Sequence, residues 1–160
     1  MLRPTTPDDT PTLVALAAGT GVFKPHEIDA LQEVLDDYHA VNHTFGHVAR
    51  TWDEPDGPAG FVYYAPTAMT DRTWELWWIA VDQRRHGRGT GGRMLADVEQ
   101  EVRRLGGRLL LIETSSTPGY VPTRGFYLKH GYAEAARIPD FYADGDDKVI
   151  FAKRIASAVG

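Results

Sequence analysis

Four glycines stand within six residues in the middle of the chain, at Gly87, Gly89, Gly91 and Gly92. They follow the apolar run Thr73–Val81 and precede a segment whose apolar residues have helical spacing. The start of a helix exposes backbone N–H groups, and glycines without Cβ atoms let a phosphate approach them closely. Arginines surround these glycines, at Arg84, Arg85, Arg88 and Arg93. The segment therefore predicts an anion site, best suited to a pyrophosphate.

Two glutamates in or beside predicted buried strands are candidates for proton transfer. Glu75 is the only charged residue in Thr73–Val81, so burial would raise the pKa of its carboxyl toward a range useful for a base. The alternative for Glu75 is a solvated or salt-bridged residue at the rim of a sheet. Glu113 ends the next apolar strand and could bind an amine, act as a base through water, or cap the following turn. No Gly-x-Ser-x-Gly sequence surrounds Ser115 and Ser116, so a serine nucleophile has little support.

The composition excludes several classes of protein. The chain has 160 residues, a length that fits one domain, and we assign residues 1–160 to a single domain. Lys and Arg number 17, and Asp and Glu number 22, so the net charge of −5 argues against nucleic-acid binding. The absence of cysteine excludes a disulfide scaffold, a thiolate nucleophile and an iron–sulfur site. Because the N-terminus lacks a secretion signal and no apolar run approaches the ~20 residues of a membrane span, we expect a cytoplasmic protein without membrane contact.

The order of predicted elements is β-α-α-β-β-β-α-β-α-β-β, which indicates an α/β fold with a mixed sheet. Helices are expected near residues 8–17 and over 25–40, 89–105 and 123–130. Strands are expected over 2–3, 46–52, 59–66, 73–81, 109–112, 132–138 and 148–155. In the helix over 89–105, helical spacing predicts a buried face formed by Met94, Leu95, Val98, Val102 and Leu105.

One interpretation of the glycine-rich turn is a Rossmann dinucleotide site, because Gly87, Gly89 and Gly92 satisfy G-x-G-x-x-G, with Glu113 about 20 residues on. Two observations oppose it. Five residues separate Val81 from Gly87, whereas the fingerprint should follow its strand directly. The segment after Gly92 is also too short for the rest of a doubly wound domain.

The second interpretation is a resemblance to a known family. Arg84-x-x-Gly87-x-Gly89 matches the [RQ]-x-x-G-x-[GA] signature of the GNAT superfamily of acyl-CoA-dependent N-acyltransferases. The segment over 123–132 is similar to the family's A-x-x-F-Y-x-x-x-G-[FY] motif, at the family's spacing. Arg124 and Gly125 depart from it, since small residues such as Ala are usual there. The resemblance covers about residues 1–155 and is weakest before residue 60.

The resemblance implies a fold and a donor. The fold is a GNAT-like mixed sheet splayed into a V and flanked by helices, with acetyl-CoA as co-substrate entering between the strands at 73–81 and 108–114. The pyrophosphate would lie on the amides of about His86 to Gly91, and the pantetheine would pair with the backbone of Ile79 and Val81. The donor-binding residues implied are Ile79, Val81, Arg84, Arg85, His86, Gly87, Arg88, Gly89, Thr90 and Gly91.

The resemblance also implies an N-acetyltransferase that moves an acetyl group to a primary amine by direct transfer in a ternary complex. Tyr127 matches the family tyrosine that acts as general acid; the alternative is a core tyrosine packed on Phe126 and Tyr132. The spacing of Glu75 before Ile79-Ala80-Val81 resembles that of the base in the histone-acetyltransferase branch. Glu113 is the third catalytic candidate.

The acceptor cannot be read from the sequence, beyond a small-molecule or peptide amine. The acidic residues at Asp140, Asp144, Asp146 and Asp147 would suit a cationic acceptor, but a solvated loop explains them equally well. His39, His43 and His47 have helical spacing, yet Gly46 suggests that the helix has ended and no H-E-x-x-H accompanies them, so we expect no metal. Homodimerisation and a non-catalytic acyl-CoA sensor stay open.

Overall fold

The computed structural model describes residues 1–155. The strands are β1 (Leu2–Pro4), β2 (Val48–Glu54), β3 (Gly57–Pro66), β4 (Thr73–Val81), β5 (Leu109–Ser115), β6 (Ala133–Ala143) and β7 (Asp146–Arg154). The α-helices are α1 (Thr10–Gly19), α2 (Pro25–Ala40), α3 (Thr90–Arg104) and α4 (Val121–Lys129). Strands and helices therefore follow each other in the predicted order. None of the helices within residues 1–155 has the length and apolar character needed to cross a membrane.

The seven strands form one sheet in the order β1-β2-β3-β4-β5-β7-β6. Neighbours pair antiparallel from β1 to β3 and from β5 through β7 to β6, whereas β4 and β5 are parallel. The predicted α/β fold with a mixed sheet flanked by helices is confirmed. A mostly antiparallel sheet is incompatible with a doubly wound dinucleotide domain, so the Rossmann interpretation is wrong.

The described chain forms two compact units. The first contains Met1–Pro66 and Trp77–Gln100. Its core packs apolar residues of α1 and α2 onto β2, β3 and the end of β4, and its fully buried members include Leu13, Leu31, Leu35, Phe61 and Tyr63. On the other face of β3, Gly60 leaves room for Met94 of α3, because a Cβ there would lie 2.9 Å from the carbonyl oxygen of Ala80 and 3.0 Å from Sδ of Met94.

The second unit contains Thr67–Leu76 and residues 101–155. Strand β4 pairs with β5 from Thr73↔Leu109 to Leu76↔Ile112, and β7 pairs with β5 along its whole length. The buried side chains of this unit include Leu110, Ile112, Tyr127, Val149 and Phe151. Residues whose side chains alternate with them, such as Glu113, therefore lie on the other face of the sheet.

Two local expectations were wrong. Leu105 lies one residue beyond α3 and is 44% exposed, whereas the other four predicted members of its buried face are buried. Strand β2 begins at Val48, two residues later than expected, because a 3₁₀ turn over Asn42–Phe45 ends at Gly46 with φ of +84°. Glycine adopts that conformation without strain, and the strand starts only after it.

Candidate active site

The turn between β4 and α3 holds two glycines in a conformation that other residues rarely adopt. Gly87 has a φ of +81° and Gly89 a φ of +77°. A Cβ atom at either position would meet no atom within 4 Å. The backbone conformation, and not packing inside the protein, therefore requires glycine here, and the space around both residues is open to a ligand.

The backbone N–H groups at the start of this turn are already used. Those of Arg85 and His86 donate to the carbonyls of Asp82 and Gln83, at 2.8 and 3.3 Å. Of the amides expected to bind phosphate, from His86 to Gly91, that of His86 therefore already donates within the protein. Helix α3 begins at Thr90, and the first N–H groups of a helix have no partner within it. This is the arrangement that binds anions in many proteins.

Two of the four arginines are neutralised by carboxylates. The side chain of Arg85 is only 12% exposed and lies 3.5 Å from Glu54 and 2.5 Å from Asp56. Arg84 donates to Asp82 at 2.6 Å, which lowers the pKa of that carboxyl to about 2. Arg85 thus ties the turn to the β2–β3 hairpin, and its guanidinium is less free for a phosphate than the sequence predicted. Arg88 is exposed.

The end of β4 leads directly into this turn. Ile79 and Val81 are half-buried and follow the stretch of β4 that pairs with β5. The ring Nε2 of His86 lies 2.9 Å from the carbonyl oxygen of Val81.

Parallel pairing of β4 with β5 brings Glu75 and Glu113 together. Glu75 stands opposite Leu111, two residues before Glu113 on the same face of β5. The two carboxyl groups are close enough for the negative charge of Glu113 to oppose ionisation of Glu75. Burial, with the negative charge of Glu113, raises the pKa of Glu75 to about 7. A carboxyl that loses its proton near neutral pH is suited to act as a base.

Lys148 completes this cluster, and sequence reasoning missed it. Its Nζ lies 2.9 Å from Oε2 of Glu113 and 3.6 Å from the centre of the Phe141 ring. The side chain is only 13% exposed. The sequence placed residue 148 in a strand but contained no signal for which strand lies beside it.

The structure places Tyr127 on the other face of the sheet from the two glutamates. Its ring is 5.7 Å from that of Phe151, and Phe151 pairs with Ile112, whose side chain alternates with that of Glu113. Tyr127 is 4% exposed, and burial raises the pKa of its phenol above the usual range. The phenol is therefore protonated at neutral pH, as a general acid must be.

The three histidines do not share a helix face. Helix α2 ends at Ala40, so His39 alone belongs to it. His47 has its Nδ1 2.6 Å from the hydroxyl of Tyr63, and its ring lies 5.2 Å from that of Trp77, which is 43% exposed. Burial lowers the pKa of both His39 and His47. Within residues 1–155, no group of three His, Asp or Glu side chains is placed to hold a metal ion.

Comparison with known proteins gives a consistent result. The model of the GNAT acetyltransferase domain matches residues 44–134. A GNAT-family protein from Desulfovibrio desulfuricans is 38% identical, with a TM-score of 0.92 over 98% of this chain and 99% of its own. No curated protein sequence matches the chain significantly.

More distant solved structures share the fold. An aminoglycoside 6'-N-acetyltransferase in complex with coenzyme A is 18% identical, with a TM-score of 0.75 over 100% of this chain and 99% of its own. The ribosomal-protein-S18-alanine N-acetyltransferase from Escherichia coli is also 18% identical, with a TM-score of 0.76 over 100% of this chain and 96% of its own. The family model, which matches more than half of the chain, and the D. desulfuricans protein identify the chain as a member of the GNAT family of acetyltransferases.

Proposed function

We propose that the protein transfers an acetyl group from acetyl-CoA to the primary amine of an acceptor, directly within a ternary complex. The observation that carries this proposal is the turn before α3. Gly87 and Gly89 hold it in a left-handed conformation, and open space lies where a side chain would otherwise stand. A pyrophosphate fits such a site, and a structural neighbour of this chain was solved with coenzyme A.

Each donor-binding residue has a proposed role. The N–H groups from Gly87 to Gly91 would bind the pyrophosphate, and the exposed Arg88 would add positive charge beside it. Arg84 is paired with Asp82, so it would help to hold the turn and would add little net charge. The backbone of Ile79 and Val81 would pair with the pantetheine amides. Arg85 would act through the backbone it fixes, because its guanidinium is held by Glu54 and Asp56.

The chemistry needs a base and an acid. An amine must lose a proton before its nitrogen attacks the thioester, and the C–N bond then forms as the C–S bond breaks. We propose that Glu75 removes the proton from the amine, because a carboxyl with a pKa of about 7 is basic and is partly ionised at neutral pH. Glu113 would bind the incoming ammonium group. If Glu75 is not the base, Glu113 would remove the proton through a water molecule. Tyr127 would return a proton to the thiolate, which it must approach from the opposite face of the sheet.

The acidic hairpin offers less to a cationic acceptor than its sequence suggested. Asp146 is buried and accepts a hydrogen bond from Ser115 at 2.5 Å. Asp147 accepts from the backbone of Asp140 at 2.9 Å and lies 3.5 Å from Arg137. These two carboxylates therefore stabilise the hairpin. The acceptor class, homodimerisation and a cytoplasmic location stay predictions.

Thiol release from acetyl-CoA with a panel of small-molecule and peptide amines tests the proposal. We expect release with at least one amine, and a rate that rises with pH through the pKa of Glu75. Glu75→Gln should depress the rate most near neutral pH, with partial recovery at high pH. Glu113→Gln is the matched variant: if it alone changes the pH profile, the base is Glu113. Binding of acetyl-CoA without thiol release for any amine would instead favour a non-catalytic acyl-CoA sensor.

A further inference from the structure

The cluster formed by Glu75, Glu113 and Lys148 places two carboxyl groups and one ammonium group in a row on one face of the sheet. Glu75 stands opposite Leu111, next to Glu113 on that face, and Glu113 contacts Lys148 at 2.9 Å. The three residues come from three adjacent strands, β4, β5 and β7. Two adjacent carboxylates repel each other, which favours a proton on the pair. The ammonium lies at one end of the row, so the two carboxyls are not equivalent.

Lys148 is held in place from two sides. The Glu113 carboxylate lies on one side and the face of the Phe141 ring, 3.6 Å away, on the other. An ammonium over an aromatic ring gains electrostatic energy, and more when it is shielded from water, as this one is. The charge of this ammonium lowers the pKa of Glu75, against the opposing effects of burial and of Glu113.

An irregularity in the hairpin positions Phe141. The register of β6 with β7 runs through Ile138↔Lys148 and resumes at Ala143↔Asp146, so four residues of β6 bulge opposite one of β7. Asp140 adopts a φ of +54°, and its carboxylate accepts the N–H of Gly145 at 2.8 Å. The bulge turns Phe141 over Lys148, a contact that regular pairing of the two strands does not provide.

The other charged groups of these strands are engaged elsewhere. On β7, Asp146 accepts from Ser115 and Asp147 lies near Arg137. On β6, the Tyr142 ring is 6.0 Å from the Lys148 ammonium. The charges that act on Glu75 are those of Glu113 and Lys148.

We propose that Lys148 is a positioning residue: it fixes the side chain of Glu113 beside Glu75, sets the pH at which Glu75 loses its proton, and so sets the pH at which Glu75 becomes a base. Phe141 supports this role by fixing the ammonium. The effect of Lys148 on the proton of Glu75 is a property of the folded protein alone. The role of Glu75 as a base rests on the function proposed above.

Carboxyl ¹³C NMR of glutamate-labelled protein tests the proton assignment without any substrate. We expect one glutamate to titrate near neutral pH in the unmodified protein and its signal to vanish in Glu75→Gln. In Lys148→Met the midpoint should rise by about one pH unit, because an attractive charge is lost. Lys148→Arg should restore it, and Phe141→Leu, which keeps the bulk and removes the ring, should give a smaller rise.

Lys153→Met is the control from the same strand, because Lys153 donates to the carbonyl of His130 and lies over Tyr132. It should leave the midpoint unchanged. A midpoint that stays the same or falls in Lys148→Met would overturn the proposal. If Lys148→Met does not fold, an unchanged midpoint in Phe141→Leu would overturn it instead.

The pH dependence of kcat/KM separates this proposal from the function. If Glu75 is the base, the acid limb moves upward in Lys148→Met by the same amount as the NMR midpoint, whereas a merely structural defect lowers kcat without moving the limb. If the NMR midpoint moves but no amine is acetylated, the function fails and the proton assignment stands. If the enzyme turns over and neither the NMR midpoint nor the acid limb moves in Lys148→Met, the function stands and the proposed role of Lys148 is wrong.

Discussion

Replacing Glu75 with glutamine should make the protein more stable, and only at neutral to alkaline pH. The pKa of Glu75 is raised by the fold from 4.5 to about 7. A carboxyl with a raised pKa contributes its full stability below its unfolded pKa, and that stability is lost as the pH rises through the folded pKa. Glutamine keeps the shape and can still donate a hydrogen bond to Glu113, but it has no proton to lose.

The size of the effect follows from the two pKa values. The difference between about 7 and 4.5, at ~1.36 kcal/mol per pH unit, gives a ceiling of ~3.4 kcal/mol for the cost of ionising Glu75 in the folded protein. Part of the side chain is exposed, and solvent screening reduces this to about 1.5 kcal/mol. For a chain of this length, that corresponds to a Tm higher by about 3–6 °C at pH 8.5. Most of the difference should disappear by pH 5.

Thermal unfolding of both proteins from pH 5 to pH 8.5 measures this difference. Glu134→Gln is a suitable control, because Glu134 is exposed and makes a surface ion pair with Arg137. It should change the free energy of unfolding by less than ~0.5 kcal/mol, with no trend in pH. A Glu75→Gln protein that is less stable than the unmodified one at pH 8.5 would refute a raised pKa of Glu75. A gain in the free energy of unfolding that does not depend on pH would refute it as well.

Three further substitutions test other parts of the molecule. Gly89→Val strains a φ of +77° and fills the open space beside the turn, so acetyl-CoA affinity measured by calorimetry should fall at least ~10-fold; an unchanged Kd would rule out the phosphate cradle. Tyr127→Phe should lower kcat by ~10²-fold with donor binding intact, and wild-type turnover would make Tyr127 structural. Asp9→Asn removes an ion pair with Arg3 that lowers the pKa of Asp9 to about 2, and should cost about 1–2 kcal/mol at pH 7. That loss should vanish as the pH falls to about 2, and equal stability at pH 7 would contradict it.

The elements of the fold were predictable because their signals are local. The spacing of apolar residues and the proline at its first position fix α2 at Pro25–Ala40, as expected. The apolar run of β4 likewise gives the predicted bounds. The order of strands was not predictable, since β7 lies between β5 and β6. Hydrophobic periodicity says which face of a strand is buried, but it carries no information about which strand lies next to it.

The same distinction separates the two halves of the site. The glycine-rich turn lies within ten consecutive residues, and its conformation follows from its glycines and from the helix start at Thr90, so the sequence predicts its geometry almost completely. Anion binding by this turn stays a prediction. The proton on Glu75 depends instead on contacts between strands. Burial alone was foreseeable from the apolar residues around it, but Glu113 opposes its ionisation and Lys148 assists it. The charges that modify the pKa of Glu75 beyond burial therefore depend on the order of strands in the sheet, which the residues near Glu75 do not encode.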